Sequence, residues 1–157
     1  MFLRVEIDDL THPKVAALLQ EHLDDMYATS PAESVHALDL EKLSQPDITF
    51  WSIWQQQDLL GCGALKTLSA QHAEIKSMRT ARQHLRKGVA AQILEHIIQQ
   101  AKARGLERIS LETGSQAYFQ PAIALYQAYG FEFCEPFASY KADPNSKFMT
   151  LLLEKVG

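Results

Sequence analysis

The chain has 157 residues, of which 46% are hydrophobic and 22% charged, and its formal net charge is -4 at pH 7. That length suits one domain able to bury a core without covalent staples. The negative balance argues against a surface that tracks nucleic-acid phosphates, and no run approaches the ~18 apolar residues of a membrane span.

The N-terminus lacks the long apolar core of a secretory signal, so a soluble, cytoplasmic protein is expected. Cys62 and Cys134 lie far apart in apolar surroundings; a disulfide stays open, with a reduced pair the expected state.

Alternation over residues 2–7 predicts an opening strand. Thr11 then offers a cap for a helix with Pro13 in its first turn, and Val15, Leu18, Leu19, Leu23 and Met26 recur along one face. Residues 28–45 carry a mixed signal: Ser30-Pro31 breaks the chain, and residues 38–43 suggest a second short helix. The segment reads either as a substrate loop or as a plain connection.

Three strands follow at residues 48–55, 59–68 and 74–80, the first two joined by a turn at residues 56–58. Gly88 opens the clearest helix, with Val89, Ile93, Leu94, Ile97, Ile98 and Ala101 in one stripe and Gly105 as its stop. A strand at residues 108–113, a helix from Pro121 to Gly130, and closing strands at residues 131–134 and 148–153 complete the order. Asp143 to Ser146 supplies the last turn. With no repeat or linker, the pattern predicts one α/β domain over residues 1–157, built on a mixed sheet.

Two stretches carry chemistry. In the first, a strand passes through the basic turn Leu85-Arg86-Lys87-Gly88 into the helix beginning Val89-Ala90-Ala91. Unpaired N–H groups and the helix dipole make such a start a phosphate cradle, though a solvated helix start has the same look. The knot from Arg79 to Lys87 suits a phosphorylated small molecule, hardly a duplex. In the second, Ala122, Leu125 and Tyr126 share a helical face just before Gly130-Phe131. By periodicity alone, Tyr126 reads as core packing.

Together these residues resemble the GNAT superfamily: a strand with an early Glu, a basic, glycine-bearing loop opening a helix, and Leu-Tyr shortly before Gly-Phe. The resemblance spans residues 48–153. Gly61-Cys62-Gly63-Ala64-Leu65, Glu74 to Thr80, Leu111-Glu112-Thr113-Gly114, and Pro136-Phe137 with Phe148-Met149-Thr150 are similar to a bacterial subgroup of N-acetyltransferases without an assigned substrate.

The resemblance implies a mostly antiparallel mixed sheet, splayed at its centre and flanked by helices. It implies acetyl-CoA as acyl donor, a small-molecule or peptide amine as acceptor, and allows a homodimer. Met78, Arg79 and Thr80 would line the pantetheine; Leu85, Arg86, Lys87, Gly88, Val89, Ala90 and Ala91 would hold the pyrophosphate. Leu85 departs from the family's polar first loop residue, and Phe119 stands where many members carry Asn. Phe119 is then expected against the pantetheine arm.

Tyr126 matches the family's general acid and Glu74 a general base. A thiol near pKa ~8.5 and a Tyr near ~10 are well matched for proton donation. An alkyl amine near ~10.4 must lose a proton before attack, and Glu74 near ~4.3 can take it only if burial raises its pKa or water relays the proton. Tyr27 and His36 would form one wall of the acceptor site, and Glu112 is either a solvated strand residue or an anionic handle for the acceptor.

Six histidines without paired spacing give no metal site. Gly114-Ser115 lacks a nucleophile elbow, and Cys62 suits a packed thiol better than a nucleophile. Two functions follow: direct acetyl transfer to an amine, or a catalytically silent CoA-binding sensor or interaction module on the same fold.

Overall fold

Alternation along the strands gives one sheet two chemically different faces, and that difference positions everything else. The computed structural model describes residues 3–36 and 39–153. In chain order they form β1 (Arg4–Ile7), α1 (Pro13–Thr29), α2 (Leu40–Leu43), β2 (Ile48–Gln55), β3 (Asp58–Thr67), β4 (His72–Thr80), α3 (Val89–Ala103), β5 (Arg108–Gly114), α4 (Gln120–Ala128), β6 (Glu132–Phe133) and β7 (Ser146–Leu152). Short 3-10 turns at Ala32–Ser34, Arg82–His84 and Ala117–Phe119 connect them. The sheet order is β1-β2-β3-β4-β5-β7-β6. Every pairing is antiparallel except β4 with β5, which the α3 crossover joins in parallel.

One face carries Trp51, Ile53, Leu65, Ile75, Ile109 and Leu111, and packs against α3 and α4. Each fully buried aliphatic chain of the α3 stripe contributes roughly 1.5–3 kcal/mol by leaving water. α3 lies close because β3 offers Gly61 and Gly63: a methyl at Gly63 would stand 2.8 Å from Ile93 and 2.9 Å from Met78. The other face carries Phe50, Trp54, Cys62 and Ala64 under Val15, Leu18 and Leu19 of α1 and Leu43 of α2. Farther along this face the alternation turns polar. Glu74 lies opposite Ser110, which lies opposite Thr150.

β4 contains one extra residue relative to β3, since the register shifts between Cys62 and Ala64, and Ser77 adopts φ 55. This bulge bends the strand. The β4–β5 ladder runs only from His72–Arg108 to Ile75–Leu111. β5 stays on β7 as far as Gly114 opposite Ser146 while β4 continues to Thr80, so the two strands part at the sheet centre.

Three local expectations change. α1 is capped by His12, whose Nδ1 accepts from the Lys14 N–H at 3.0 Å. Thr11 instead bonds Asp9 at 2.6 Å, closing a local turn ahead of the helix. α1 also runs past Met26 to Thr29. The short helix expected over residues 38–43 begins at Leu40, capped by the Asp39 carboxylate on Lys42 N–H; Leu38 itself lies outside the described residues.

Candidate active site

The parted strands open a groove of about 880 Å³ that reaches both faces of the sheet. At one end lies the start of α3. Arg86 has φ 65 and the N-cap Gly88 has φ 79, a left-handed pair that suits glycine at the second position. No side chain caps the helix, and a methyl built on Gly88 would meet nothing within 4 Å. The N–H groups of Val89, Ala90 and Ala91, at the first turn, are thus left without a side-chain cap. Leu85, Arg86, Gly88, Val89, Ala90 and Ala91 all line the groove.

Two basic residues of the stretch from Arg79 to Lys87 are committed elsewhere. Arg79 reaches across the sheet face to α1, pairing with Asp25 at 2.6 Å and Glu21 at 2.9 Å, and donates to the Tyr118 hydroxyl at 3.1 Å. Arg82 pairs with the same two carboxylates. Lys87 lies off the groove, its Nζ 3.1 Å from His84 Nδ1. Arg86 alone of the four both lines the groove and forms no ion pair among the described residues. Met78, Arg79 and Thr80 line its wall where the β4 backbone has lost its β5 partner.

Midway, α4 presents Tyr126 from the face shared with α3. It is 6% exposed, packs edge-on against Phe131 at 5.6 Å and lines the groove. Burial pushes its hydroxyl pKa well above the usual tyrosine value, so it carries its proton at neutral pH. Phe119 also lines the groove, its ring lying over Gly114, where a methyl would run into it.

The opposite face supplies the carboxylates. Glu74 is 3% exposed, and its Oε2 accepts from Tyr140 Oη at 2.5 Å and Lys76 Nζ at 3.2 Å. Tyr140 in turn accepts from Lys76 at 2.9 Å, closing a triad. Glu112 stands on β5 just beyond the splay. Burial raises its pKa to about 7; the Ser146 hydroxyl and Lys76 pull it down, while Glu74 and Asp143 push it up.

Ser30, Ser34, Val35 and His36 wall this end. They are tied to the far turn: Ser34 donates to Asp143 at 2.6 Å, and Ser30 donates at 3.5 Å to Gln116, which in turn donates to Asn145 at 3.2 Å. Tyr27 is absent from the wall. It is 58% exposed, since α1 continues through it to Thr29 and turns it to solvent.

Sequence reasoning missed Lys76 and Tyr140, which hold Glu74, and His22 and Ser77, whose Nδ1 and Oγ are buried in the groove wall without a partner among the described residues. Burial lowers the His22 pKa to about 4. Both cysteines are free, and burial pushes the Cys62 thiol up to about 12, which disarms it as a nucleophile. Among the described residues no helix is long and apolar enough to cross a membrane, and no group of three or more His, Cys, Asp or Glu could hold a metal.

Residues 15–131 match the family model described as "Acetyltransferase (GNAT) family". The chain is 60% identical over 148 residues to the uncharacterized N-acetyltransferase YsnE of Bacillus subtilis (strain 168), covering 94% of this chain and 98% of that one. A Klebsiella pneumoniae protein assigned to the acyl-CoA N-acyltransferases superposes with TM-score 0.78 at 25% identity, over 97% and 98% of the two chains. A Bacillus subtilis acetyltransferase in complex with CoA shares the fold at TM-score 0.72 and 20% identity, over 98% and 100%. The expected mixed, mostly antiparallel sheet and the matched family agree, and the chain belongs to the GNAT family of acetyltransferases as an N-acetyltransferase.

Proposed function

We propose that the chain binds acetyl-CoA along the groove and passes the acetyl group to a primary amine, which attacks directly while both substrates are bound. The observation that carries this reading is the parting of β4 and β5, with a proton-bearing Tyr126 on one face and two carboxylates on the other. CoA would supply the acetyl group as a thioester and needs an anion site joined to a narrow amide-lined slot. The residues fit that need: uncapped N–H groups at Val89 to Ala91, Arg86 beside them, and the β4 edge of Met78 to Thr80, paired with β3 but not with β5, leading inward, with Phe119 against the arm.

Tyr126 then protonates the departing sulfur from the α4 side. Desolvation raises the proton affinity of a thiolate there as it does that of the tyrosine, so the two stay matched. On the far face Glu112 takes the proton of the amine, its pKa near 7 placing it between base and acid at neutral pH. Glu74, held by Lys76 and Tyr140, serves as a fixed negative charge beside the acceptor, and His36 contributes to the wall. Two unpaired cysteines suit a reducing compartment, and we place the enzyme in the cytoplasm. A silent CoA sensor would need neither a proton-bearing Tyr126 nor a carboxylate poised near neutrality.

Incubation with acetyl-CoA and a panel of amines, followed by mass spectrometry of the products, tests the transfer. Acetylated amine is the expected result; tight CoA binding with no product from any amine would leave only the sensor. Gly88→Glu should lower acetyl-CoA affinity at least tenfold by calorimetry, because it sets a carboxylate before the α3 N–H groups at a left-handed φ of 79. A folded variant with unchanged affinity would move the phosphates away from this helix start.

A further inference from the structure

The acceptor end of the groove has a sign. Glu74 and Glu112 line it, and Asp143 sits close enough to raise the proton affinity of Glu112. Lys76 is the cation beside them, and it is spent: its ammonium bonds Glu74 at 3.2 Å and Tyr140 at 2.9 Å, lies over the Tyr140 ring and is 9% exposed. His36, the other basic side chain there, packs edge-on against Tyr140 and faces Asp143. Arg79 and Arg82 are locked to Glu21 and Asp25 of α1, and Arg86 stands at the other end, with the α3 start. A second observation concerns neutral groups. Ser77, which the bulge displaces, and His22 are both more than nine-tenths buried, line the groove, and carry a polar atom with no partner among the described residues. Burial keeps His22 uncharged at neutral pH.

Resting on the acetyl-transfer reading above, we infer that the acceptor is an amine with no carboxylate near its reacting nitrogen, such as an alkyl amine, a diamine or an amide-bearing amine, and not a free α-amino acid. Ser77 and His22 set uncharged polar groups in this wall, whereas a carboxylate would find no unspent counter-charge among the described residues that line the groove. Its field would also act on the base. A second negative charge beside Glu112 raises its proton affinity further and holds it in the protonated form, so a carboxylate-bearing amine disables the group that must accept its proton. An ammonium does the reverse: it lowers the Glu112 pKa, then gives up its proton there.

Matched amines that differ only in the carboxylate test this: leucine against leucinamide and leucine against 3-methylbutylamine, with kcat/KM corrected for the neutral fraction of each amine. The carboxylate-free member of each pair is expected to react at least tenfold faster. Asp143→Asn, which keeps an oxygen acceptor for Ser34 and lies outside the proton-transfer pair, should narrow that gap by raising the rate of the carboxylate-bearing member. Equal rates within the pairs, or faster acetylation of the amino acids, would overturn the inference and leave acetyl transfer standing. No transfer to any amine would overturn the transfer reading and this inference with it.

Discussion

Tyr126→Phe is expected to lower turnover by ~10²–10⁴ while leaving acetyl-CoA affinity and thermal stability nearly unchanged. The ring is what packs: it sits in the core of α4 against Phe131, among Ile123, Phe119 and Leu111, and phenylalanine keeps all of that surface. Only the hydroxyl is lost, and with it the proton for the sulfur. A departing thiolate without a donor must leave as an anion into a groove walled largely by apolar side chains. Single-turnover measurement isolates the chemical step. Turnover unchanged under conditions where chemistry is shown to limit the rate would return Tyr126 to a packing role. A fall in stability of several kcal/mol would mean that the hydroxyl has a structural partner.

What could be read in the residues, and what could not, follows from the distance over which each feature is encoded. The α3 stripe of Ile93, Leu94, Ile97 and Ile98 is a local pattern, and the helix forms where the pattern lies. The same holds for the Gly88 start, where one residue supplies the left-handed φ. The parting of β4 from β5 was legible only by resemblance. It depends on an extra residue at Ser77 and on where a parallel ladder stops, neither of which has a composition of its own. The fate of Arg79 depends on Glu21 and Asp25, more than fifty positions away, so of the arginines in a basic knot only Arg86 is left without an ion pair among the described residues. Tyr140 lies in a stretch without periodicity, yet it holds Glu74 across sixty-six positions. On the proposed reading, that contact leaves the task of accepting a proton to Glu112, a residue whose strand position alone left it between surface and site.

The Glu112→Gln variant separates function from stability because the two should move in opposite directions. Glu112 binds its proton more tightly in the folded protein, with a pKa of about 7 against an ordinary glutamate value of 4.5. Between those values the folded state holds more protons than the unfolded one, so stability falls as pH rises through this window. The full cost is present above about pH 7, on the order of 2–3 kcal/mol for a shift of this size at a mostly buried site. Glutamine is nearly isosteric and removes the charge, so the variant should be more stable than the parent at pH 8 and no more stable at pH 4. Turnover should fall by ~10²–10³, since nothing on that face then accepts the amine's proton efficiently. In the parent, kcat/KM should climb as pH passes about 7 and Glu112 ionises; in the variant that limb should disappear. A structural carboxylate would behave otherwise: its loss would lower both stability and rate, and the pH profile would keep its shape. An active, destabilised Glu112→Gln protein with the parent's pH profile would therefore hand the proton back to Glu74, acting through water from within its bond to Tyr140.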